Sequence, residues 1–349
     1  MKNKKLIAVL IVLICIIFGG IGGYFYIQSS IKKKIKREIE TYLIKHDLKD
    51  KVHYQKLEVS PWKREATLYQ VKVKNFLPLK ELQLYKVYPV LVINKLLVRI
   101  PSSNDVSVKA YGLKIFLKGP KKELELFDAT SFSLVKRYDK KEWINSSQLK
   151  NFKLSKKLLS LLKRIPEIRQ VSQVVKIEAP LDIETDSKAD LVKNTLFSKV
   201  LLNYEDNIAI SFKQTLASVN FKKLLAVAKL LKEVEGNSQS YGSLPYRKLF
   251  YPIMKKAILK QAELSLQDEG LVKRGVKFLA ERKGTSPEKL IDTYLLPYLK
   301  FLSPKEVKAI ENFLLGKKPK LTLRFTNTKN LTLEELLQGN LKGKWEITN

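Results

Sequence analysis

The sequence predicts an α+β protein: an N-terminal transmembrane helix, then a long, mostly antiparallel sheet with helices, and a helix-rich C-terminal part. Three observations carry that reading. The run Leu6 to Ile27 holds no charged residue, period-two segments recur from Val52 onward, and capping residues paired with glycine stops punctuate the chain after Asp268. Composition then divides the chain into a short cytoplasmic tail (1–5), the anchor (6–27), a basic juxtamembrane helix (28–50), a β-rich domain (51–235), a linker (236–245) and an α+β C-terminal domain (246–349).

At about 1.5 Å per residue the apolar run is long enough to cross a hydrocarbon core of about 30 Å. Leu6, Ile14, Phe18 and Ile27 are expected to face lipid, and Tyr24 and Tyr26 to sit at the far interface, where amphipathic rings are favoured. Gly19 and Gly23 have the spacing that lets two helices approach closely, and equally suit a flexible exit from the bilayer. A cleavable signal is disfavoured because the run ends in Tyr24-Phe25-Tyr26 rather than at a small-x-small site. Lysines flank both ends, so charge bias is small, and the shortness of the tail sets the expected orientation. The chain is read as a single-pass protein of the inner membrane, its C-terminal part periplasmic or extracytoplasmic.

Beyond the anchor, Ser30 to Lys45 places Ile31, Ile35, Ile39 and Tyr42 on one helical face. The basic residues Lys32, Lys33, Lys34, Lys36 and Arg37 are candidate contacts for anionic phospholipid headgroups, at about 1 kcal/mol each near such a surface. Period-two segments at 52–59 and 66–74, around Ser60-Pro61-Trp62-Lys63-Arg64, predict a hairpin. Strands are expected at 79–88, 90–100 and 106–117, punctuated by Pro89, Pro101 and Gly119-Pro120.

Ser155 caps a predicted helix that stops before Pro166. Strands are expected at 174–185, 196–204 and 208–214, the last two joined at Glu205-Asp206-Asn207, and Asn220 caps a helix running to about Glu235. A strand at 257–266 leads to Asp268 as the cap of a helix stopping at Gly284. Ser286-Pro287 opens another helix, and Ser303-Pro304-Lys305-Glu306 is a capping box before one with Val307, Ile310 and Leu314 inward. A strand through Leu321, Leu323 and Phe325, a helix capped by Thr332 and a strand through Trp345 complete the chain.

Charge and residue usage narrow the chemistry. The formal charge of +32 draws anions such as lipid headgroups, nucleic acid or acidic protein. Only ten of the 66 basic residues are arginine, which suits diffuse attraction better than bidentate base reading. Lysine enrichment also follows from a hot habitat or a biased genome. With no helix-turn-helix, zinc finger or aromatic RNA-binding pattern, no nucleic-acid partner is expected. The single cysteine, Cys15, lies in the apolar run, and the two histidines, His46 and His53, are too few for a site built on imidazoles. No cofactor or metal is expected. Phosphate-binding glycine loops, nucleophile elbows and zinc-helix motifs are absent, so the chain is read as non-enzymatic. Asp182, Glu184 and Asp186 would point to one strand face, where with Asp190 they could hold a hard cation, although a solvated strand face explains them better. Asp268 and Glu269 beside Arg274 are accounted for by a helix cap.

The hairpin Val52-x-x-x-x-Leu57-x-Val59-Ser60-Pro61 with Ala66-Thr67-Leu68-x-x-Val71-x-Val73, following an anchor, resembles the opening of AsmA-like bacterial envelope proteins over residues 1–75. That resemblance implies a groove-shaped sheet in a family linked to outer-membrane homeostasis and phospholipid movement, and supplies no catalytic residue. This chain is shorter than the larger members. Ala262-Glu263-Leu264-Ser265-Leu266-x-Asp268-Glu269-Gly270-Leu271-Val272-x-Arg274, on through Phe313-Leu314, resembles a module of uncharacterised membrane-anchored bacterial proteins. The expectation is an anchored envelope protein that shelters or moves lipid in a sheet groove. A tethered scaffold for an acidic envelope protein is the alternative, and a carboxylate-based enzyme the third reading.

Overall fold

The computed structural model describes residues 28–45, 48–60, 63–76, 87–102, 104–120, 122–227, 246–339 and 343–349. The anchor at 6–27, with its tail, the linker at 236–245 and most of the strand expected at 79–88 lie outside these. Among the described residues, no helix is long and apolar enough to cross a membrane. The fold is α+β, with a long antiparallel sheet of thirteen strands and some helices. Strands follow chain order, except that the first two both pair with the third. The chain forms two compact units, Met1–Tyr138 with Asn145–Arg164, and Asp139–Ile144 with Ile165–Asn349.

The first unit holds helix α1 (Gln28–Lys45) and strands β1 (Val52–His53), β2 (Lys56–Ser60), β3 (Glu65–Lys74), β4 (Tyr88–Ser102), β5 (Asp105–Lys118) and β6 (Glu123–Tyr138). Most of β7 (Glu142–Leu154) and α2 (Lys156–Leu162) complete it. The hairpin forms as expected, with Val59 opposite Ala66 and Leu57 opposite Leu68. Ile35, Ile39 and Leu43 recur at four-residue intervals, so they share one face of α1, and that face is buried with Leu57, Val59, Leu68, Leu96 and Val98. Ile35 and Ile39 of the expected stripe are therefore part of the core, with Leu43. Lys36 and Arg37 are exposed on this helix, as is Ile44, and Lys36 lies 3.9 Å from Glu40.

A line of exceptions crosses this unit. Gln70, Asn94, Gly112 and Thr130 stand opposite one another on β3 to β6, each skipped by a ladder that pairs its neighbours on both sides. Gln70 and Gly112 have φ of +52° and +61°, and Asn151, at +54°, donates from Nδ2 to Thr130 Oγ1 at 2.8 Å. A left-handed residue reverses the side-chain alternation. Leu68, Leu96 and Ala110 are buried before the line and Val71 and Ile93 after it, even and odd positions on the same face. A side chain at Gly112 would run into that of Asn94.

Three sequence expectations need correction here. Pro89 and Pro101 lie inside β4 rather than between strands; Pro89 is its second residue and Pro101 falls at a register shift, the places where a missing N–H is tolerated. β6 and β7 were not expected at all, because Asp128-Ala129-Thr130-Ser131 breaks the apolar alternation of β6 where the line crosses it. Pro166 does not merely follow a helix stop: it opens the short helix α3 (Pro166–Val171), while Ser155 caps α2 by accepting from Leu158 N at 3.1 Å.

The second unit contains α3, β8 (Leu181–Asp190), β9 (Thr195–Tyr204), β10 (Ile208–Ala217), a helical segment at 221–227, α4 (Tyr246–Met254) and β11 (Ile258–Asp268). It continues through α5 (Leu271–Arg282), α6 (Pro287–Tyr294), a 3₁₀ turn at Leu296–Leu299, α7 (Pro304–Leu314), β12 (Lys320–Thr326), α8 (Leu333–Leu337) and β13 (Lys344–Thr348). Residues 174–180 form turns rather than strand, and β8 starts only after Pro180. Asn220 caps its helix, accepting from Lys223 N at 3.0 Å, Ser303 forms the expected capping box with Glu306, and the expected cap Thr332 proves to be a second capping box, with Glu335. Asp268 caps α5 from two residues before the N-cap position, which Gly270 occupies at φ +118°. In α7 the fully buried positions are Ala309 and Phe313, with Ile310 and Leu314 at the margin of the same cluster. β10 and β11, on either side of residues 236–245, pair along almost their whole length.

Candidate functional site

Register in the second unit sorts the strands into two unlike faces, because directly paired residues point the same way. One row joins Ile183, Leu202, Ile210, Leu266 and Leu321, and the next row on that face joins Thr185, Val200, Phe212, Leu264, Leu323 and Ile347. These two rows are mainly apolar, a third row on the same face is Ser187, Ser198, Gln214 and Ala262, and the two ends of the face are buried. At one end Ala189 and Leu216 are buried with Phe221 and Ala257, joined by Trp143, which meets Phe221 edge-on at 5.9 Å. At the other, Leu321 and Ile347 are buried under Ala309 and Phe313 of α7.

Between those ends lie Ile183, Val200, Leu202, Ile210, Phe212 and Leu264. They belong to neither buried cluster; five are half-buried, and Phe212 is 37% exposed. Four strands at a spacing of about 4.8 Å make this apolar floor about 14 Å wide. In the first unit, Ile93 is buried, Leu113 and Ile115 are half-buried, and Phe127 stacks on Phe152 at 5.1 Å.

The opposite face of the second unit is polar. Its central row reads Asp186, Lys199, Lys213, Glu263, Arg324, Glu346 across six strands. Lys213 Nζ lies 3.1 Å from one oxygen of Glu263, and Arg324 donates to the other at 2.7 Å. Arg324, then Lys213, holds the Glu263 carboxyl below the usual glutamate range. A lowered folded value means stabilisation that is present above the ordinary pKa of about 4.3 and is lost as the pH falls below it. Glu263→Gln is expected to lower Tm at neutral pH and to flatten the acid limb of the Tm against pH curve. Unchanged acid and neutral limbs would remove the row from the stability account.

The acidic trio falls on this polar face as expected. Asp182, Glu184 and Asp186 point one way, with Asp186 opposite Lys199. Asp190 instead turns the β8–β9 connection, accepting from Lys193 N and Val192 N at 2.9 and 3.0 Å, bonds that lower its pKa. Among the described residues no group of three or more His, Cys, Asp or Glu is placed to hold a metal ion. His53 is exposed, with Nε2 3.1 Å from the Asp50 carbonyl oxygen.

A buried polar hub occupies the β9–β10 turn. Asn207 Oδ1 accepts from Lys176 N at 2.9 Å and from the Arg274 guanidinium at 3.0 Å. Its Nδ2 donates to the carbonyls of Lys176 and Glu205, and Glu269 accepts from Asp206 N. Asp268, Glu269 and Arg274 thus spend their polar atoms on holding turns and a helix start. Next to them, a cleft of about 410 Å³ is lined by Val171, Val174, Val175 and Phe278, with Glu167, Gln170 and Arg282 among its polar lining. Arg282 there donates to Gln170 at 3.3 Å and lies over Phe278.

Of the site residues expected from sequence, Leu6, Ile14, Phe18, Gly19, Gly23, Tyr24, Tyr26 and Ile27 lie outside the described residues, and Lys32, Lys33 and Lys34 are placed only as helical backbone. The apolar floor was not singled out in the sequence. Each strand's alternation is visible there, but the half-open rows need the pairing register. Residues 202–344 match the model of a family described as uncharacterized protein, which covers the C-terminal resemblance and none of the AsmA-like segment. No curated protein matches the chain.

Proposed function

We propose that the chain is a single-pass, membrane-anchored envelope protein that shelters phospholipid acyl chains on the open apolar floor of its sheet and catalyses no reaction. The observation that carries this is the floor itself: Ile183, Val200, Leu202, Ile210, Phe212 and Leu264 form adjoining rows between two buried ends. Open apolar surface of this kind costs free energy in water, so it is kept where something covers it. Lipid fits because the uncharged run Leu6 to Ile27 would hold the chain at a bilayer, and the charge of +32 would favour anionic headgroups. The AsmA-like resemblance of residues 1–75 belongs to the same reading.

The test is the lipid that co-purifies with the full chain, read by native mass spectrometry and extraction. Ile210→Asp places a carboxylate on the floor and is expected to cut bound phospholipid at least about tenfold, because an unpaired charge against acyl chains costs several kcal/mol. Ser211→Asp, on the opposite face, is the matched control and should leave the lipid in place. Equal lipid in both variants removes the floor from the binding account. Wild-type protein free of lipid would favour the second reading, a scaffold for an acidic envelope protein, for which the net positive charge is the motive.

A further inference from the structure

The second unit carries an aromatic tip that its packing does not use. Tyr294, Tyr298 and Phe301 are 56%, 75% and 82% exposed, the three most exposed aromatic side chains among the described residues. They stand at the end of α6, in the 3₁₀ turn and in the turn before α7, four and three residues apart. The frame behind them is fixed. Ile291 is buried, Ser286 caps α6 by accepting from Lys289 N, Leu302 packs on the α7 core, and the Ser303–Glu306 capping box restarts the chain. The rings thus run from the end of one capped helix towards the start of another, with apolar anchors at Ile291 and Leu302.

Two lysines accompany the rings. Lys283 Nζ lies 5.6 Å from the Tyr294 ring centroid, and Lys300 stands between Tyr298 and Phe301 and is exposed. Leu279, one turn before Lys283 on α5, is also exposed. Exposed aromatics with lysine among them suit an interface that is apolar below and anionic above: rings enter the headgroup layer while ammonium groups meet phosphate. We infer that the Tyr294–Phe301 tip is a peripheral docking site for an anionic membrane surface, separate from the anchor. It does not rest on lipid occupying the sheet floor.

The experiment reconstitutes the full chain through its anchor into phosphatidylcholine vesicles. It measures capture of labelled, protein-free vesicles of phosphatidylcholine with or without phosphatidylglycerol. Wild-type protein is expected to capture the anionic vesicles preferentially. The double variant Tyr298→Ser, Phe301→Ser is expected to lose about tenfold of that capture, because two rings no longer enter the interface. It should keep the wild-type melting temperature and the wild-type amount of co-purifying lipid, which separates this site from the floor. Lys283→Glu with Lys300→Glu should abolish the preference for anionic vesicles. Undiminished capture by the aromatic variant overturns the inference, as does failure of the wild type to prefer the anionic vesicles. Loss of self-crosslinking in that variant, with capture unchanged, would assign the tip to a second copy of the chain.

Discussion

Ile39→Asp is expected to abolish folding of the first unit, and Ile39→Ala to cost about 2–5 kcal/mol, the range for emptying a well-packed aliphatic site. Ile39 is fully buried, sits between Ile35 and Leu43 on the inner face of α1, and reaches the same cluster as Leu57, Leu68 and Val98. A carboxylate there has no cation among the core residues to pair with, so it would neutralise or drive the helix off the sheet. Circular-dichroism melting and limited proteolysis of the full chain would read the effect, with new cleavage expected in the lysine-rich α1. Wild-type melting of Ile39→Asp would mean that α1 is not part of the core. The consequence for function is positional. On the proposed anchoring, folded structure begins within a residue or two of Ile27, so the first unit would stand directly on the bilayer.

The second large effect is expected at Asn207. Its amide makes four bonds in a site closed to water, to Lys176 on both backbone groups, to the Glu205 carbonyl and to Arg274. Asn207→Ala would leave the Lys176 amide and the guanidinium short of an acceptor, at a cost of about 2–4 kcal/mol for the joint loss. Asn207→Asp keeps the acceptor and loses both donations, placing a carboxylate against two carbonyl oxygens, so it too should destabilise. Urea titration of the second unit's transition reads both variants. An unchanged midpoint in Asn207→Ala would show that the turn holds without the hub. Arg274 shares the task, donating also to the carbonyls of Val174 and Asp206, so Arg274→Lys cannot replace its planar fork.

Much of the fold is legible in local chemistry. The β9–β10 hairpin, the capping boxes at Ser303 and Thr332 and the stop at Gly284 follow from residues within a few positions of one another. What was not legible depends on partners distant in sequence. β6 loses its alternation where Thr130 joins the line from Gln70, and Pro89 and Pro101 sit inside β4 because neighbouring strands and a register shift accommodate them. Ile35, Ile39 and Leu43 look the same in sequence whether they face lipid or a sheet; the core cluster shared with β2, β3 and β4 decides it. For the candidate floor, Ile183, Leu202 and Ile210 each read as an inward strand residue, and their incomplete cover appears only once the two buried ends are located. Tyr294, Tyr298 and Phe301 were not singled out in the sequence, and only their exposure separates them from the buried Ile291.

Phe212 and Phe197 provide the most direct measurement of the proposed lipid site. They are nearly equally exposed, at 37% and 39%, on adjacent strands, yet Phe212 lies on the apolar floor and Phe197 on the polar face. A photoreactive phenylalanine analogue at each position, irradiated in the full chain within cell membranes, should crosslink phospholipid from position 212 and little from position 197. Equal phospholipid labelling at both positions, or protein adducts alone at position 212, would contradict a lipid-sheltering floor.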